Sequence, residues 1–201
     1  MRETGAILGV RGRQIKPKKP DPLPLRKGLI YKSFMPEDGE ALFCDRCGSR
    51  LLREEVGAEV RRRCPGCDRT VYRNPAVGVA VVLRDADRVL LGRRARGRYA
   101  GLWCVPCGYV EWDEEVRAAA RRELREETGL EVRLGAVLAV HSNFHERARQ
   151  TVGIWFAGEV VGGTPMPGDD LDALAYLPLA TPPPLAFPTD AEVLARLRHV
   201  P

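Results

Sequence analysis

The sequence predicts an α/β sandwich domain with a small cysteine-rich module on its N-terminal side. Residues 74–201 contain apolar runs typical of strands on both sides of one amphipathic helix. Residues 41–73 contain two Cys-x-x-Cys pairs. The chain has 201 residues, 44% of them hydrophobic, which is enough for one main core with a small module attached.

The first 40 residues differ in composition from the rest. All five lysines lie within residues 1–34, together with four prolines. The chain's net charge of +5 is therefore concentrated there, and residues 35–201 carry more acidic than basic side chains. This composition predicts a basic, poorly ordered arm over residues 1–40, although the sequence leaves open that translation starts at Met35.

The sequence contains no apolar run near the ~20 residues that a membrane span needs. The short apolar run at residues 6–10 is also too short for the core of a signal peptide. We therefore expect a soluble, cytoplasmic protein with no membrane partner, and the sequence leaves a homodimer open.

Two Cys-x-x-Cys pairs, Cys44 with Cys47 and Cys64 with Cys67, are separated by 16 residues. This spacing is typical of a four-thiolate zinc site, and the residues between the pairs can form a hairpin. Six cysteines in an intracellular chain also favour metal ligands over disulfides. Because four thiolates leave no open coordination position, we expect this zinc ribbon at residues 41–73 to have a structural role.

Arginines surround the four cysteines and would permit contact with the phosphates of a nucleic acid. Against nucleic-acid binding, every basic residue after Lys32 is arginine, which indicates a compositional bias of the whole chain rather than a binding surface. No aromatic residues alternate with these arginines to stack on bases. Nucleic-acid binding is therefore the less favoured interpretation of the ribbon.

The elements of the C-terminal domain follow from hydrophobic periodicity and turn residues. The strands are predicted at residues 76–83, 88–91, 131–140 and 151–161, with a turn at 85–87 and a polar loop at 142–150. Thr189 and Glu192 have the spacing of a capping box, which predicts a last helix ending near Arg198.

The central helix is predicted over residues 114–128, with Asp113 as N-cap and Gly129 as C-terminal stop. Val116, Ala119 and Ala120 form its apolar stripe when residues are projected at about 100° each. Glu123 and Glu127 fall in the middle of this stripe, and Glu126 falls at its edge.

The carboxylates of Glu123, Glu126 and Glu127 converge on one patch because their spacing is i, i+3 and i+4. Like charges repel there, and burial of charge is costly. Salt bridges to arginine explain Glu114 and Glu115 but not this cluster. Convergent carboxylates instead favour a hard divalent cation, Mg²⁺ or Mn²⁺.

The pattern from Gly108 through Glu114 to Arg122-Glu123-Leu124-x-Glu126-Glu127-x-Gly129-Leu130 resembles the Nudix box at every defined position. The resemblance covers about residues 74–198. It implies the Nudix α/β/α sandwich fold and an enzyme that hydrolyses a nucleoside diphosphate linked to another moiety.

The resemblance also implies a role for each box residue. Glu123, Glu126 and Glu127 are expected to hold Mg²⁺ or Mn²⁺, with the backbone carbonyl of Cys107 as a further ligand. Arg122 is expected to orient the glutamates through salt bridges. Gly108 and Glu114 are expected to shape the loop before the helix, and a metal-bound water is expected to attack phosphorus.

The residues outside the box are less well specified by the sequence. Candidates for the catalytic base or extra ligand are Glu146, Glu159, and Asp169 or Asp170. Asp170 and Glu146 are favoured over Glu159, since loops can bend toward a substrate. Arg94 or Arg98 is a candidate for holding a phosphate. The candidates for stacking on a base or flavin are Tyr99, Trp103, Phe144 and Trp155, although both tryptophans suit the core equally well.

Cys104 and Cys107 form a third Cys-x-x-Cys pair, directly before the box. Nudix sequences usually read Trp-x-x-Pro-Gly-Gly here, so Cys107 replaces the first glycine. Pro106 restricts the backbone between the two thiols and disfavours chelation by both. We interpret them as ordinary thiols beside the active site.

A zinc ribbon before a Nudix domain resembles the NADH pyrophosphatase branch and a related group acting on FAD and ADP-ribose. The chain lacks the Ser-Gln-Pro-Trp-Pro-Phe-Pro type signature of the NADH branch, whereas residues 184–188 resemble the Ala-Phe-Pro segment of the related group. The leading hypothesis is hydrolysis of ADP-ribose, FAD or NAD(H). The alternatives are RNA cap removal guided by the ribbon, or a ligand sensor.

Overall fold

A computed structural model describes residues 41–146 and 149–198 of the chain. The basic arm predicted over residues 1–40 lies outside these described residues. Within the described ranges, neither helix has the length and apolar character needed to cross a membrane.

The cysteine-rich module forms a three-stranded antiparallel sheet of its own. Its strands are β1 (Leu52–Val56), β2 (Glu59–Arg63) and β3 (Thr70–Val71), in the order β1-β2-β3. Gly57 takes a positive φ of 64° between β1 and β2, which allows the tight turn. The hairpin predicted between the two cysteine pairs is confirmed.

The second sheet has seven strands and mixed direction. They are β4 (Ala76–Asp85), β5 (Arg88–Arg94), β6 (Trp103–Cys104), β7 (Cys107–Tyr109), β8 (Leu130–Asn143), β9 (Thr151–Gly163) and β10 (Leu171–Pro178). The main order is β10-β5-β4-β9-β8, with β6 beside β5 and β7 beside β4. Strands β4 and β9 run parallel, and the other pairs are antiparallel.

Two helices, α1 (Val116–Thr128) and α2 (Pro188–Leu197), cover the two faces of this sheet. Strand β4 is buried on both faces, and successive side chains alternate between them. Val79 and Val81 pack in the core under Leu124 of α1. Ala80 and Val82 pack in the other core with helix α2. The predicted α/β/α sandwich is therefore confirmed.

The N-terminal ends of both helices differ from the sequence prediction, whereas Gly129 ends α1 as predicted. Asp113 was predicted as the N-cap of α1, and this is wrong: Asp113 has a φ of 61°, and the Glu115 carboxylate accepts the N–H of Ala118 instead. The capping box at Thr189 is also wrong. Phe187 is the N-cap of α2 and makes no side-chain capping bond, with Pro188 as the first helical residue.

Candidate active site and cysteine site

The four cysteine sulfurs of the ribbon lie within 4.8 Å of one another. The Sγ atoms of Cys44 and Cys67 are 3.7 Å apart, and those of Cys47 and Cys64 are 3.3 Å apart. Four sulfurs placed tetrahedrally at about 2.3 Å from a zinc ion would lie roughly 3.8 Å from each other. The cluster therefore fits a zinc ribbon.

Glu127, Glu123 and Glu126 of α1 differ in burial, and their exposure increases in that order. Glu127 is 2% exposed, and its Oε2 accepts the N–H of Cys107 at 2.7 Å. The Glu123 side chain is largely covered, whereas that of Glu126 is half exposed. The helix thus presents its carboxylates along a line from the sheet to the surface, as the helical projection predicts.

Burial shifts the protonation of these glutamates. Desolvation raises the pKa of Glu127 to about 8, since the Cys107 N–H only partly offsets the loss of water. Desolvation also raises the pKa of Glu123, against the opposing effect of Arg122. A divalent cation would replace the lost solvation, and an all-oxygen donor set fits a hard ion.

Arg122 connects the helix to the loop before it. Its Nη1 donates to Glu123 at 2.8 Å and to Glu126 at 3.0 Å. Its Nε and Nη2 each donate to Glu114 at 2.7 Å, and Nη2 also donates to the carbonyl of Tyr109 at 3.0 Å. These bonds and the Glu111 N–H lower the pKa of Glu114 to about 2, with the Arg122 bonds dominant.

Gly108 must be a glycine for a steric reason. A Cβ at this position would lie 2.0 Å from the Glu123 carboxyl carbon. Strand β7 therefore approaches α1 so closely that any side chain at residue 108 would displace the Glu123 carboxylate.

A cavity of about 300 Å³ opens beside these carboxylates. The residues predicted for the site that line it are Glu123, Glu127, Cys107, Arg94, Tyr99, Trp155, Glu146, Asp169 and Asp170. The predicted residues outside its lining are Arg98, Trp103, Arg122, Phe144, Glu126 and Glu159.

The structure gives reasons for several of these placements. Trp103 packs against the core on the α2 side of the sheet, and Phe144 is exposed. The exposed Glu159 carboxylate pairs with Arg133 at 2.5 Å on the strand surface. None of these three side chains lines the cavity.

Asp170 lies at the cavity but is fully engaged by arginines. Its Oδ2 accepts from Arg94 at 2.9 Å and its Oδ1 from Arg96 at 2.8 Å. Arg96 is the main cause that lowers the pKa of Asp170. Asp170 therefore stays ionised and anchors Arg94 at the cavity wall.

The thiols of Cys104 and Cys107 are both free. Cys104 is fully buried, and Cys107 is partly buried at the cavity. Cys107 contributes its backbone N–H to Glu127, so the main chain rather than the thiol serves the carboxylate.

The sequence analysis missed several residues of the cavity. Asp190 is 1% exposed, and desolvation raises its pKa to about 7. The sequence could not identify it, because an acidic residue in the first turn of a helix is common and needs no functional explanation. Phe187 and His145 also line the cavity, with ring centroids 5.5 Å apart.

The family comparison agrees with this geometry. The family model described as the NUDIX domain matches residues 73–197, more than half of the chain. The chain belongs to the Nudix family, and it is a hydrolase of that family.

The relatives and solved structures give further detail. An ADP-ribose pyrophosphatase of Methanocaldococcus jannaschii is 34% identical over 118 residues, which are 58% of this chain and 70% of that protein. The NAD-capped RNA hydrolase NudC of Pseudomonas aeruginosa is 31% identical over 145 residues, 68% of this chain and 50% of that protein. A crystal structure of a NUDIX hydrolase from Nitrosomonas europaea has a TM-score of 0.69 and 28% identity, covering 78% of this chain and 89% of that one.

Proposed function

We propose that the protein hydrolyses a nucleoside diphosphate linked to another moiety, of the ADP-ribose, FAD or NAD(H) type. The observation that carries the proposal is the convergence of Glu123 and Glu127 on a cavity that also contains Arg94. The relative named ADP-ribose pyrophosphatase supports this class of substrate.

The proposed cation is Mg²⁺ or Mn²⁺, held by Glu123, Glu126 and Glu127 with the carbonyl of Cys107. Such an ion neutralises a diphosphate and lowers the pKa of a bound water. Arg122 keeps Glu123 and Glu126 in place through its hydrogen bonds. The Cys107 N–H fixes the orientation of the buried Glu127 carboxylate.

We propose Glu146 as the base that accepts a proton from the attacking water. It lines the cavity and is exposed, whereas Asp170 already accepts from two arginines. Asp170 would instead position Arg94, which has a buried Nε without a partner among the described residues. We propose that this N–H donates to a substrate phosphate.

Tyr99 is the proposed contact for the planar part of the substrate. Its ring lies 5.3 Å from the ring of Phe187 in an edge-on arrangement, and both line the cavity. An aromatic wall at this point would cover one face of a base or flavin.

The test is a panel of ADP-ribose, FAD, NAD⁺ and NADH incubated with the full-length protein and Mg²⁺. Phosphate released after adding phosphatase reports cleavage of the diphosphate. We expect turnover of at least one compound, none with EDTA, and recovery on adding Mg²⁺. Failure on the whole panel with either Mg²⁺ or Mn²⁺ would reject the proposal.

A second candidate, hydrolysis of capped RNA, is favoured by the relative named NAD-capped RNA hydrolase. The ribbon also exposes Tyr72, and the Arg61 guanidinium lies 5.4 Å from the centre of its ring. Such a pair is suited to stacking on a base. A ligand sensor is disfavoured, because a sensor does not require the complete carboxylate set.

Single-stranded RNA binding measured at two salt concentrations tests the second candidate. We expect the Tyr72→Ala and Arg61→Ala variants to weaken a salt-dependent shift if the ribbon binds RNA. Variants that bind RNA like the wild type would remove the support for this candidate.

We also propose that Cys44, Cys47, Cys64 and Cys67 hold one structural zinc ion, with the ribbon at residues 41–73 and the hydrolase domain at 74–201. Zinc measured per chain tests this, with the Cys64→Ser variant as the comparison. A wild-type protein that folds its ribbon without zinc would contradict the assignment.

A further inference from the structure

Cys104 and Cys107 are the two cysteines of the hydrolase domain, and the proposed hydrolysis uses neither thiol. They flank the short connection from β6 to β7 and have the Cys-x-x-Cys spacing. Both thiols are free. Because Cys107 stands where Nudix sequences usually have glycine, its side chain is a feature of this chain rather than a requirement of the box.

The two thiols are neighbours with unequal access to the cavity. Hydrogen bonding to the Cys104 thiol and then burial raise the pKa of Cys107 well above its ordinary value. Cys104 is 0% exposed, whereas Cys107 is only partly buried and lines the cavity. A small oxidant that enters the cavity therefore meets the thiol of Cys107 first, with the Cys104 thiol directly behind it.

The main chain of Cys107 belongs to the proposed cation site. Its N–H donates to Oε2 of Glu127 at 2.7 Å. Glu127 is 2% exposed, so water cannot readily replace this hydrogen bond. Any displacement of residue 107 is therefore passed on to the Glu127 carboxylate.

A disulfide between the two cysteines would displace residue 107 rather than residue 104. The S–S bond brings two sulfurs closer than unbonded thiols can lie. Cys104 is enclosed in a core cluster with Leu171 and Ala186, whereas Cys107 borders the open space of the cavity. A shift of about 1 Å at residue 107 is enough to stretch its bond to Glu127 beyond the range of a hydrogen bond.

We infer that Cys104 and Cys107 form a reversible disulfide, which weakens cation binding by releasing Glu127 from the Cys107 N–H. The cross-link depends only on the two thiols. Its effect on the cation rests on the proposed function.

The oxidant is a peroxide, and the reaction releases two waters. Peroxide converts the thiol of Cys107 to a sulfenic acid, its O–O bond breaks, and the first water leaves. The Cys104 thiol then attacks this sulfur, the S–O bond breaks, and the second water carries away the Cys104 proton. A dithiol reductant returns both thiols by thiol–disulfide exchange.

Peptide mapping of the full-length protein tests the cross-link. Trypsin cleaves after Arg98 and Arg117, so one peptide, residues 99–117, contains both cysteines. The protein is treated with hydrogen peroxide, remaining thiols are alkylated, and the digest is analysed by mass spectrometry. We expect this peptide to lose two hydrogens and take up no alkyl group, and to take up two after prior reduction with dithiothreitol.

Mn²⁺ binding, measured from the electron paramagnetic resonance of the free ion, tests the consequence. The oxidised wild type should bind Mn²⁺ about tenfold more weakly than the reduced protein, and dithiothreitol should restore the affinity. Cys104→Ala is the matched variant, since it lacks the cross-link but keeps Cys107 and the four ribbon cysteines. Its affinity should stay unchanged by peroxide, whereas an effect of the ribbon would appear equally in both proteins.

Three outcomes would overturn the inference. The first is a peptide 99–117 that still takes up two alkyl groups after peroxide treatment. The second is a cross-linked wild type that binds Mn²⁺ as tightly as the reduced protein, and the third is equal weakening in Cys104→Ala.

Failure of the proposed function gives a different result, because the reduced wild type would then bind no Mn²⁺. Hydrogen exchange of the Cys107 amide needs no metal and decides the inference in that case. Faster exchange in the cross-linked protein supports the release of Glu127, and unchanged exchange overturns it.

Discussion

The ribbon and the helix α1 each bring together side chains suited to binding a cation, but they do so in opposite structural settings. In the ribbon, the ligands themselves form the core, since Cys44 and Cys64 are buried with Leu51 and few other apolar residues. In the hydrolase domain, α1 is held by a separate apolar core of Leu124, Ala119 and Ala120 against the sheet. On the proposed assignments, we therefore expect the first region to need an ion for folding, whereas the second region should fold without its ion and then bind it.

The strongest test of this contrast removes the most buried carboxylate of α1. Glu127→Gln should reduce turnover by about a thousandfold, because a neutral amide cannot replace a buried ligand charge. The thermal unfolding temperature without metal should stay equal or rise, because glutamine has no ionisation that burial opposes. Turnover assays and calorimetric unfolding of the same preparation measure both effects.

The matched control for that variant is Glu131→Gln, which changes an exposed glutamate on β8. It should retain wild-type turnover and stability. Wild-type activity in Glu127→Gln would show that Glu127 does not bind the catalytic ion.

A second test concerns pH and the buried Asp190. Because its folded pKa of about 7 lies above the ordinary value of 3.8, its contribution favours the folded state below pH 4. This contribution is lost as the pH rises from about 4 to 7, and the part lost between pH 5 and pH 8 amounts to on the order of 3 kcal/mol. Urea unfolding at pH 5 and pH 8 measures the difference.

Asp190→Asn should be less stable at pH 5, where it lacks the protonated carboxyl, and should lose less stability toward pH 8 than the wild type. Glu127 titrates in both proteins, so the difference in slope isolates Asp190. Equal slopes would show that Asp190 titrates near its ordinary pKa.

A third test displaces the active-site carboxylates without removing them. Gly108→Ala should reduce turnover about a hundredfold, because the added Cβ would occupy the place of the Glu123 carboxyl group. Gly162→Ala is the control, since its Cβ would meet only the flexible Glu131 side chain at 3.2 Å. Similar activity of the two variants would contradict the steric argument.

The smallest effect on turnover is expected from the ribbon. Cys64→Ser should abolish hydrogen-exchange protection in β1 and β2, while the amides of α1 stay protected and turnover on a small dinucleotide changes by less than about twofold. Loss of protection in α1 as well would show that the two regions do not fold independently.

The sequence predicted the parts of the molecule that depend on local patterns. The cysteine spacing, the strands of the hairpin β4 to β5 and the carboxylate face of α1 all follow from periodicities that the structure retains. These periodicities already predicted an α/β sandwich, and the resemblance to the Nudix box added the specific α/β/α arrangement.

The parts that were missed depend on contacts between distant residues. Asp190 becomes part of the cavity only because α2 packs beside Trp155 and Val105. Asp113 failed as an N-cap because the loop there takes a left-handed turn, and Glu115 supplies the cap instead. Strand β10 was not predicted, since its edge position beside β5 is defined by pairing rather than by its own sequence.

Arg122 makes five hydrogen bonds, the full number of N–H donors in a guanidinium group. No donor remains to exchange with water, so the loop carrying Tyr109 and Glu114 cannot loosen without breaking the alignment of α1. The planar guanidinium group of Arg122 thus couples the position of this loop to that of α1. A lysine at residue 122 would keep the positive charge. Its ammonium group has only three donors and is not planar, so the loop and α1 could then move separately.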